Sequence, residues 1–194
     1  MADQAPYSST LAADAARVTE LAAIASYAGI GRGDEKAADQ LAVDAMRTAL
    51  NALAIDGKIV IGEGERDEAP MLYIGEKVGT GKGPAIDIAL DPLEGTTLTA
   101  KAMANALCVL SMSPGGGMLH APDTYMDKIA IGPGFAPGTV DLDMTPQDNV
   151  RSLASAKGVS PSEITVCVMD RPRHAELIAA LREVGAKVVL ITDG

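Results

Sequence analysis

Apolar residues recur at helical spacing through the first fifty positions, then give way to short runs and alternations. Residues 9–28, STLAADAARVTELAAIASYA, read as an Ala-rich helix, with Ser9 or Thr10 as its N-cap and the GIGRG of 29–33 as its stop. A second helix is expected from Asp34 to Leu53. Its apolar positions Val43, Met46, Leu50 and Leu53 keep helical spacing, while Gln40, Asp44, Arg47, Thr48 and Asn51 take the other side. Carried back four residues from Val43, the apolar stripe lands on Asp39.

KIVIG (58–62) is a short apolar run between DG and GEGE, as expected of a strand covered on both faces. AIDIALD (85–91) alternates, with Ile86, Ile88 and Leu90 on one face and Asp87, Ala89 and Asp91 on the other. ALCVLSMS (106–113) and YMDKIAIG (125–132) read as two more strands. TPQDNVRSLASAKG is a helix with Pro146 in its first turn and Gly158 at its end. The run ITVCVMD (164–170), RHAELIAALREVG (173–185) and KVVLITDG (187–194) is strand, helix, strand, the βαβ unit of a parallel sheet.

These elements predict an α/β protein in two parts. Residues 1–140 form a layered domain of helices on a mixed sheet, and residues 141–194 form the beginning of a second, smaller α/β domain that the sequence leaves truncated.

Composition narrows the chemistry. Hydrophobic residues make up 47% of the chain but aromatic ones only 3%, so the core is built from small aliphatic side chains and Met; Met71, Met103, Met112 and Met126 read as core filling. The net charge of −10 argues against nucleic acid or an anionic membrane surface as partner, since both need a basic face. Cys108 and Cys167 lie in apolar surroundings and read as buried free thiols in a reducing compartment. No run approaches the length of a membrane span, and the N-terminus has no leader pattern, so a cytoplasmic protein is expected.

Three segments bring carboxylates to element ends: Asp39 on the helix stripe, Glu63 just after KIVIG, and Asp91 with Glu94 in DPLEGT. Singly, each reads as a cap or a solvated charge. Jointly they form an oxygen-rich set with few bases nearby, which suits a hard divalent ion such as Mg²⁺ or Mn²⁺. Pro92 stiffens the turn and Gly95 lets the backbone approach closely, so EGTT can open a helix whose free N–H groups face an anion. GEKVGTGKG (75–83) imitates a P-loop, but Glu76 stands where the first Gly belongs and Gly83 replaces Ser or Thr; it reads as a surface turn. Asp87 shares a face with Asp91 and is assigned to orienting it. Arg171, Arg173 and His174 make a basic knot where a strand meets a helix; the two arginines suit phosphate, whereas His174 and the loop residue His120 read as structural.

The segments IVIGEGERDEAPMLYIGEKVGTGKG, DIALDPLEGTTLTA and APDTYMDKIAIGPG resemble the class II fructose-1,6-bisphosphatases, including forms that also hydrolyse sedoheptulose 1,7-bisphosphate. DPLEGT alone resembles the signature of the wider lithium-sensitive sugar and inositol phosphatase superfamily. The resemblance implies that Asp39 and Glu63 bind one metal, Mn²⁺ or Mg²⁺, and that Asp91 and Glu94 bind another. It implies that Thr96 positions the attacking water with Asp67 assisting. Glu94, Gly95, Thr96, Tyr125, Arg171, Pro172, Arg173, Asp193 and Gly194 would bind substrate. Where that family carries Lys directly after the acid matching Asp34, this chain has Glu35, and Lys36 follows as the candidate. A homo-oligomer, dimer or tetramer, is implied, as are a longer chain and a further metal-ligand Glu beyond residue 194, so these residues alone are expected to turn over poorly. An inositol or nucleotide monophosphatase, or a non-catalytic sugar-phosphate-binding protein, stands as the alternative.

Overall fold

The computed structural model describes residues 9–64, 72–121 and 124–193, and the chain divides into two compact units, Met1–Asp123 and Thr124–Gly194. In the first unit, helix α1 (Ser9–Ser26), a 3₁₀ turn (Tyr27–Gly29) and helix α2 (Glu35–Asn51) are followed by strands β1 (Asp56–Ile61), β2 (Lys77–Val78) and β3 (Ala85–Glu94). Short helix α3 (Thr96–Ala100) and strand β4 (Leu107–Pro114) complete it. The second unit contains α4 (Pro146–Lys157), β5 (Thr165–Met169), α5 (Ala175–Glu183) and β6 (Lys187–Ile191).

Helix α2 starts at Asp34, whose Oδ1 accepts the Ala37 N–H at 3.0 Å, satisfying one of the donors that a helix start leaves open. Its buried face, Ala38, Ala42, Val43, Met46 and Leu50, meets Ile86, Ile88 and Leu90 of β3 in the main core, which Val18 and Ala22 of α1 also enter. The many alanines let the helices approach the sheet closely. That sheet has the order β2-β1-β3-β4, with β1 and β3 parallel and the other pairs antiparallel. The expected helices on a mixed sheet are therefore present.

Among the described residues, the loop after β4 lies against the opposite face of this sheet. Asp87 is buried there, and its Oδ2 accepts the N–H groups of Gly116 at 2.8 Å and Met118 at 3.4 Å, fastening the loop after β4 to the sheet. Asp87 thus serves that loop, and the assignment to orienting Asp91 is corrected. His120 approaches the same face, with Nδ1 3.4 Å from the Val60 carbonyl. This thin cover leaves Lys58 and Ile61 exposed, so β1 is not shielded on both sides as expected.

Other expectations also change. Ser9 and Thr10 already lie inside α1, so neither is its N-cap. Residues 125–132 form no strand and pair with none of the described strands, and Tyr125, Met126 and Ile129 stand exposed. GEKVGTGKG is not merely a surface turn. Lys77 and Val78 pair with β1, and Glu76 is buried at 5% exposure. Met103 and Met126 are exposed, Met112 packs on the core, and Met71 lies outside the described residues.

In the second unit, Thr145 caps α4 by accepting the Asp148 N–H at 3.1 Å, and Gly158 ends the helix at φ 69°. β5 and β6 pair in parallel with α5 between them in the chain, confirming the βαβ reading. Their core, with Val150, Ile164, Val168, Ile178 and Leu181, lies on the helix side. Cys167 points away from that side and is exposed, contrary to the expectation of burial; Cys108 is half-buried, and both are free thiols. Among the described residues, no helix is long and apolar enough to cross a membrane.

Candidate metal centre

Parallel pairing of β1 and β3 explains why acids distant in sequence meet. Ile61 is level with Ala89, so continuing both strands by two residues brings Glu63 alongside Asp91. Asp39, one residue after the fully buried Ala38, reaches the same neighbourhood from α2. The ladder between β3 and β4 is irregular between Asp91 and Glu94, where the fully buried Pro92 sits. A proline cannot donate to a ladder and is tolerated at such a break. Asp91 supports the turn itself, its Oδ1 accepting the Leu93 N–H at 3.0 Å.

The charges of these acids are felt in their proton affinities. Burial, and then the charge of Asp91, raises Asp39 above the ordinary carboxylate range. Burial, followed by Asp39 and Asp91, pushes Glu63 up from 4.5 to about 7. Among the described residues, no Lys or Arg forms an ion pair with Asp39, Glu63 or Asp91. Three half-buried carboxylates that repel one another and lack a basic partner are suited to cations. Among the described residues, however, no three His, Cys, Asp or Glu side chains close around a single ion. The donor set therefore fits ions held by one or two carboxylates each and completed by water or phosphate, the habit of Mg²⁺, rather than one all-protein cage.

Gly95 links this cluster to α3. Its φ of 90° lies in the region open to glycine, and a Cβ there would come within 2.9 Å of Leu98 Cδ1. Thr96 follows as the first residue of the helix, half-buried, with the first-turn amides ahead of it in the chain direction. Helix α3 thus opens where EGTT predicted. Lys36 is exposed in the first turn of α2, and Asp67 lies outside the described residues.

Glu63 stands where the two described ends of a loop are tied together. Its N–H donates to the Leu72 carbonyl at 3.1 Å, and Ile74 N–H donates to the Gly64 carbonyl at 3.0 Å. Leu72 is fully buried yet holds φ at 56°. Its burial contributes ~2 kcal/mol, and the left-handed backbone costs ~1–2 kcal/mol, so the two nearly cancel. Gly62 allows the closure: a Cβ there would meet the Leu72 carbonyl oxygen at 2.2 Å. Sequence reading missed this loop and the setting of two residues, Glu76 and Cys108. Glu76, hidden in the false P-loop, is ion-paired to Arg47 of α2. The Cys108 thiol is raised by burial, lowered by the Ser26 hydroxyl and raised by the Asp91 charge, which places it beside the cluster.

The second unit gathers most of the remaining candidates. The Arg173 guanidinium stands 4.7 Å from the centre of the exposed Tyr125 ring. Arg171 Nη2 lies 3.8 Å from Asp193 Oδ1 and lines an open concavity of about 390 Å³ with Pro172, Ile178, Arg182 and Leu190. His174 has its Nδ1 2.8 Å from the Met169 carbonyl, fixing the turn into α5. Gly194 lies outside the described residues.

The first unit is thus an α/β domain with carboxylates converging where its parallel strands end, and GEKVGTGKG is built into its sheet rather than into a P-loop. The sequence family described as "Bacterial fructose-1,6-bisphosphatase, glpX-encoded" matches residues 9–194, and the chain belongs to it. It is 55% identical over 184 residues to the fructose-1,6-bisphosphatase 1 class 2 of Escherichia coli K12, covering 95% of this chain and 54% of that protein. It is 51% identical over 177 residues to the D-fructose 1,6-bisphosphatase class 2/sedoheptulose 1,7-bisphosphatase of Synechococcus sp. CC9902, covering 91% and 53%. With the class 2 enzyme of Haemophilus influenzae it shares 49% over 184 residues, covering 95% and 55%. The chain spans about half the length of these relatives.

Proposed function

We propose that the protein hydrolyses the C1 phosphate of fructose 1,6-bisphosphate to fructose 6-phosphate and phosphate. Asp39 and Glu63 would hold one Mn²⁺ or Mg²⁺ ion, and Asp91 with Glu94 a second. The observation that carries this reading is the convergence of Asp39, Glu63 and Asp91, which raises Asp39 and Glu63 without a basic partner among the described residues. Bound there, divalent ions supply an acidified water and neutralise phosphate charge.

The chain's own groups bind and orient. Glu94, Gly95 and Thr96 bracket the phosphate, with the amides of the α3 start as donors and the Thr96 hydroxyl holding the attacking water; Asp67 and Lys36 assist. Direct displacement by water needs no phospho-enzyme. In the second unit, Tyr125, Arg171, Pro172, Arg173, Asp193 and Gly194 serve substrate binding, the two guanidinium groups being suited to a phosphate. We take residues 1–140 as the phosphatase domain, carrying it past the compact unit that ends at Asp123, and 141–194 as the beginning of a C-terminal α/β domain, in a cytoplasmic homo-oligomer, dimer or tetramer, with no nucleic acid or membrane partner. The names of the Synechococcus relatives support sedoheptulose 1,7-bisphosphate as a second substrate.

Phosphate release from fructose 1,6-bisphosphate, sedoheptulose 1,7-bisphosphate and an inositol monophosphate, each with Mn²⁺ and with Mg²⁺, tests this reading. The bisphosphates should be turned over at least tenfold faster than the monophosphate. Preference for the inositol phosphate, or binding of bisphosphate without turnover, would overturn it.

A further inference from the structure

Asp39 and Glu63 come from elements with no short covalent link, a helix and the loop after a strand, so their separation depends on whatever ties that loop to that helix. Beside the packing of Leu72 in the core shared with α2, a polar side-chain contact among the described residues does so. Arg47, two turns beyond Asp39 on α2, donates from Nε to Glu76 Oε1 at 2.8 Å. Glu76 closes the loop that Glu63 opens. Its other oxygen accepts the Tyr73 N–H at 3.3 Å, its own N–H donates to the Tyr73 carbonyl at 3.0 Å, and its carbonyl accepts the Ile59 N–H of β1 at 2.9 Å. Its side chain is only 6% exposed, whereas that of Arg47 is 42% exposed. A buried carboxylate is costly to leave without its cationic partner, so the pair holds the loop base in one place.

We propose that the Arg47–Glu76 pair is a positioning device that sets Glu63 against Asp39. It is not a catalytic group, since it touches neither carboxylate. It acts as the outer hydrogen-bond partners of metal ligands act, by fixing where a ligand stands. This inference rests on the metal reading of Asp39 and Glu63 given above.

The test uses the intact protein as wild type and as Glu76→Gln, Arg47→Met and Arg47→Lys. Hydrogen exchange of the Glu63, Tyr73 and Ile74 amides in the metal-free protein reports the loop, and Mn²⁺ titration followed by electron paramagnetic resonance, well below the melting temperature, reports the ligands. In Glu76→Gln and Arg47→Met the three amides should exchange at least tenfold faster and the Mn²⁺ dissociation constant should rise about ten- to a hundredfold. Arg47→Lys, which keeps the charge, should recover part of both. Unchanged exchange, or faster exchange with unchanged Mn²⁺ affinity, would overturn the proposal. Failure of the wild type to bind Mn²⁺ would overturn the metal reading beneath it, a result distinct from either.

Discussion

Replacing Glu63 with Gln should make the metal-free protein more stable, because the ionised carboxylate is held where it is poorly tolerated. Its proton affinity is raised from an ordinary 4.5 to about 7 by burial, then by Asp39 and Asp91. At ~1.4 kcal/mol per tenfold, the ionised side chain would cost the fold ~3 kcal/mol if water were excluded. Glu63 is only half-buried, and solvent screening brings the figure to on the order of 1–2 kcal/mol. For a group raised on folding, the favourable contribution is complete below the unfolded value and is lost as pH climbs through the folded one. The gain in Glu63→Gln should therefore be near zero at pH 4.5, grow between pH 4.5 and 7, and stay level above. Urea denaturation in excess EDTA at pH 5 and pH 8 measures it, and saturating Mn²⁺ should reverse the order, since only the wild type keeps the ligand. A variant less stable than wild type at pH 8, or a difference that does not vary with pH, would refute the electrostatic argument.

Three further outcomes follow from individual contacts. Gly95→Ala forces a side chain onto φ 90° and against Leu98; it should cost ~1–3 kcal/mol in urea denaturation and slow phosphate release by displacing Thr96. Asp87→Ala strips the Gly116 and Met118 amides of their acceptor; about 2 kcal/mol of stability should be lost, and limited proteolysis should cut within 115–121. Arg173→Ala removes an exposed guanidinium beside Tyr125; the melting temperature should hold within a degree or two, since such contacts contribute only ~0.5–1 kcal/mol, while the KM for fructose 1,6-bisphosphate rises about tenfold. An unchanged KM would remove Arg173 from the substrate site.

Local signals in the sequence carried the elements that have local causes. Asp34 and Thr145 cap helices, Gly158 ends one, and the apolar stripe of α2 led back to Asp39, which the structure places beside Glu63 and Asp91. What the sequence hid depends on partners. YMDKIAIG alternates like a strand, but alternation alone does not make a ladder, and these residues pair with none of the described strands. Glu76 looked like a turn charge because nothing in GEKVGTGKG announces that Arg47, twenty-nine positions earlier, lies against it. Asp87 shares the strand face of Asp91, yet a loop arriving thirty residues later claims it. Cys167 sits in an apolar run, yet its side of β5 is exposed among the described residues. For Glu76 and Asp87 the deciding contact is long-range, and periodicity reports only which side of an element a residue takes.

The central claim is that Asp39, Glu63, Asp91 and Glu94 form the metal centre of a sugar bisphosphatase, and the most direct measurement is Mn²⁺-dependent phosphate release from fructose 1,6-bisphosphate by the intact protein and its Asp39→Asn and Glu94→Gln variants. The wild type should release phosphate only when the ion is present, and each variant should fall by at least a hundredfold at saturating Mn²⁺. Release that persists in EDTA, or variants that match the wild type, would contradict the account.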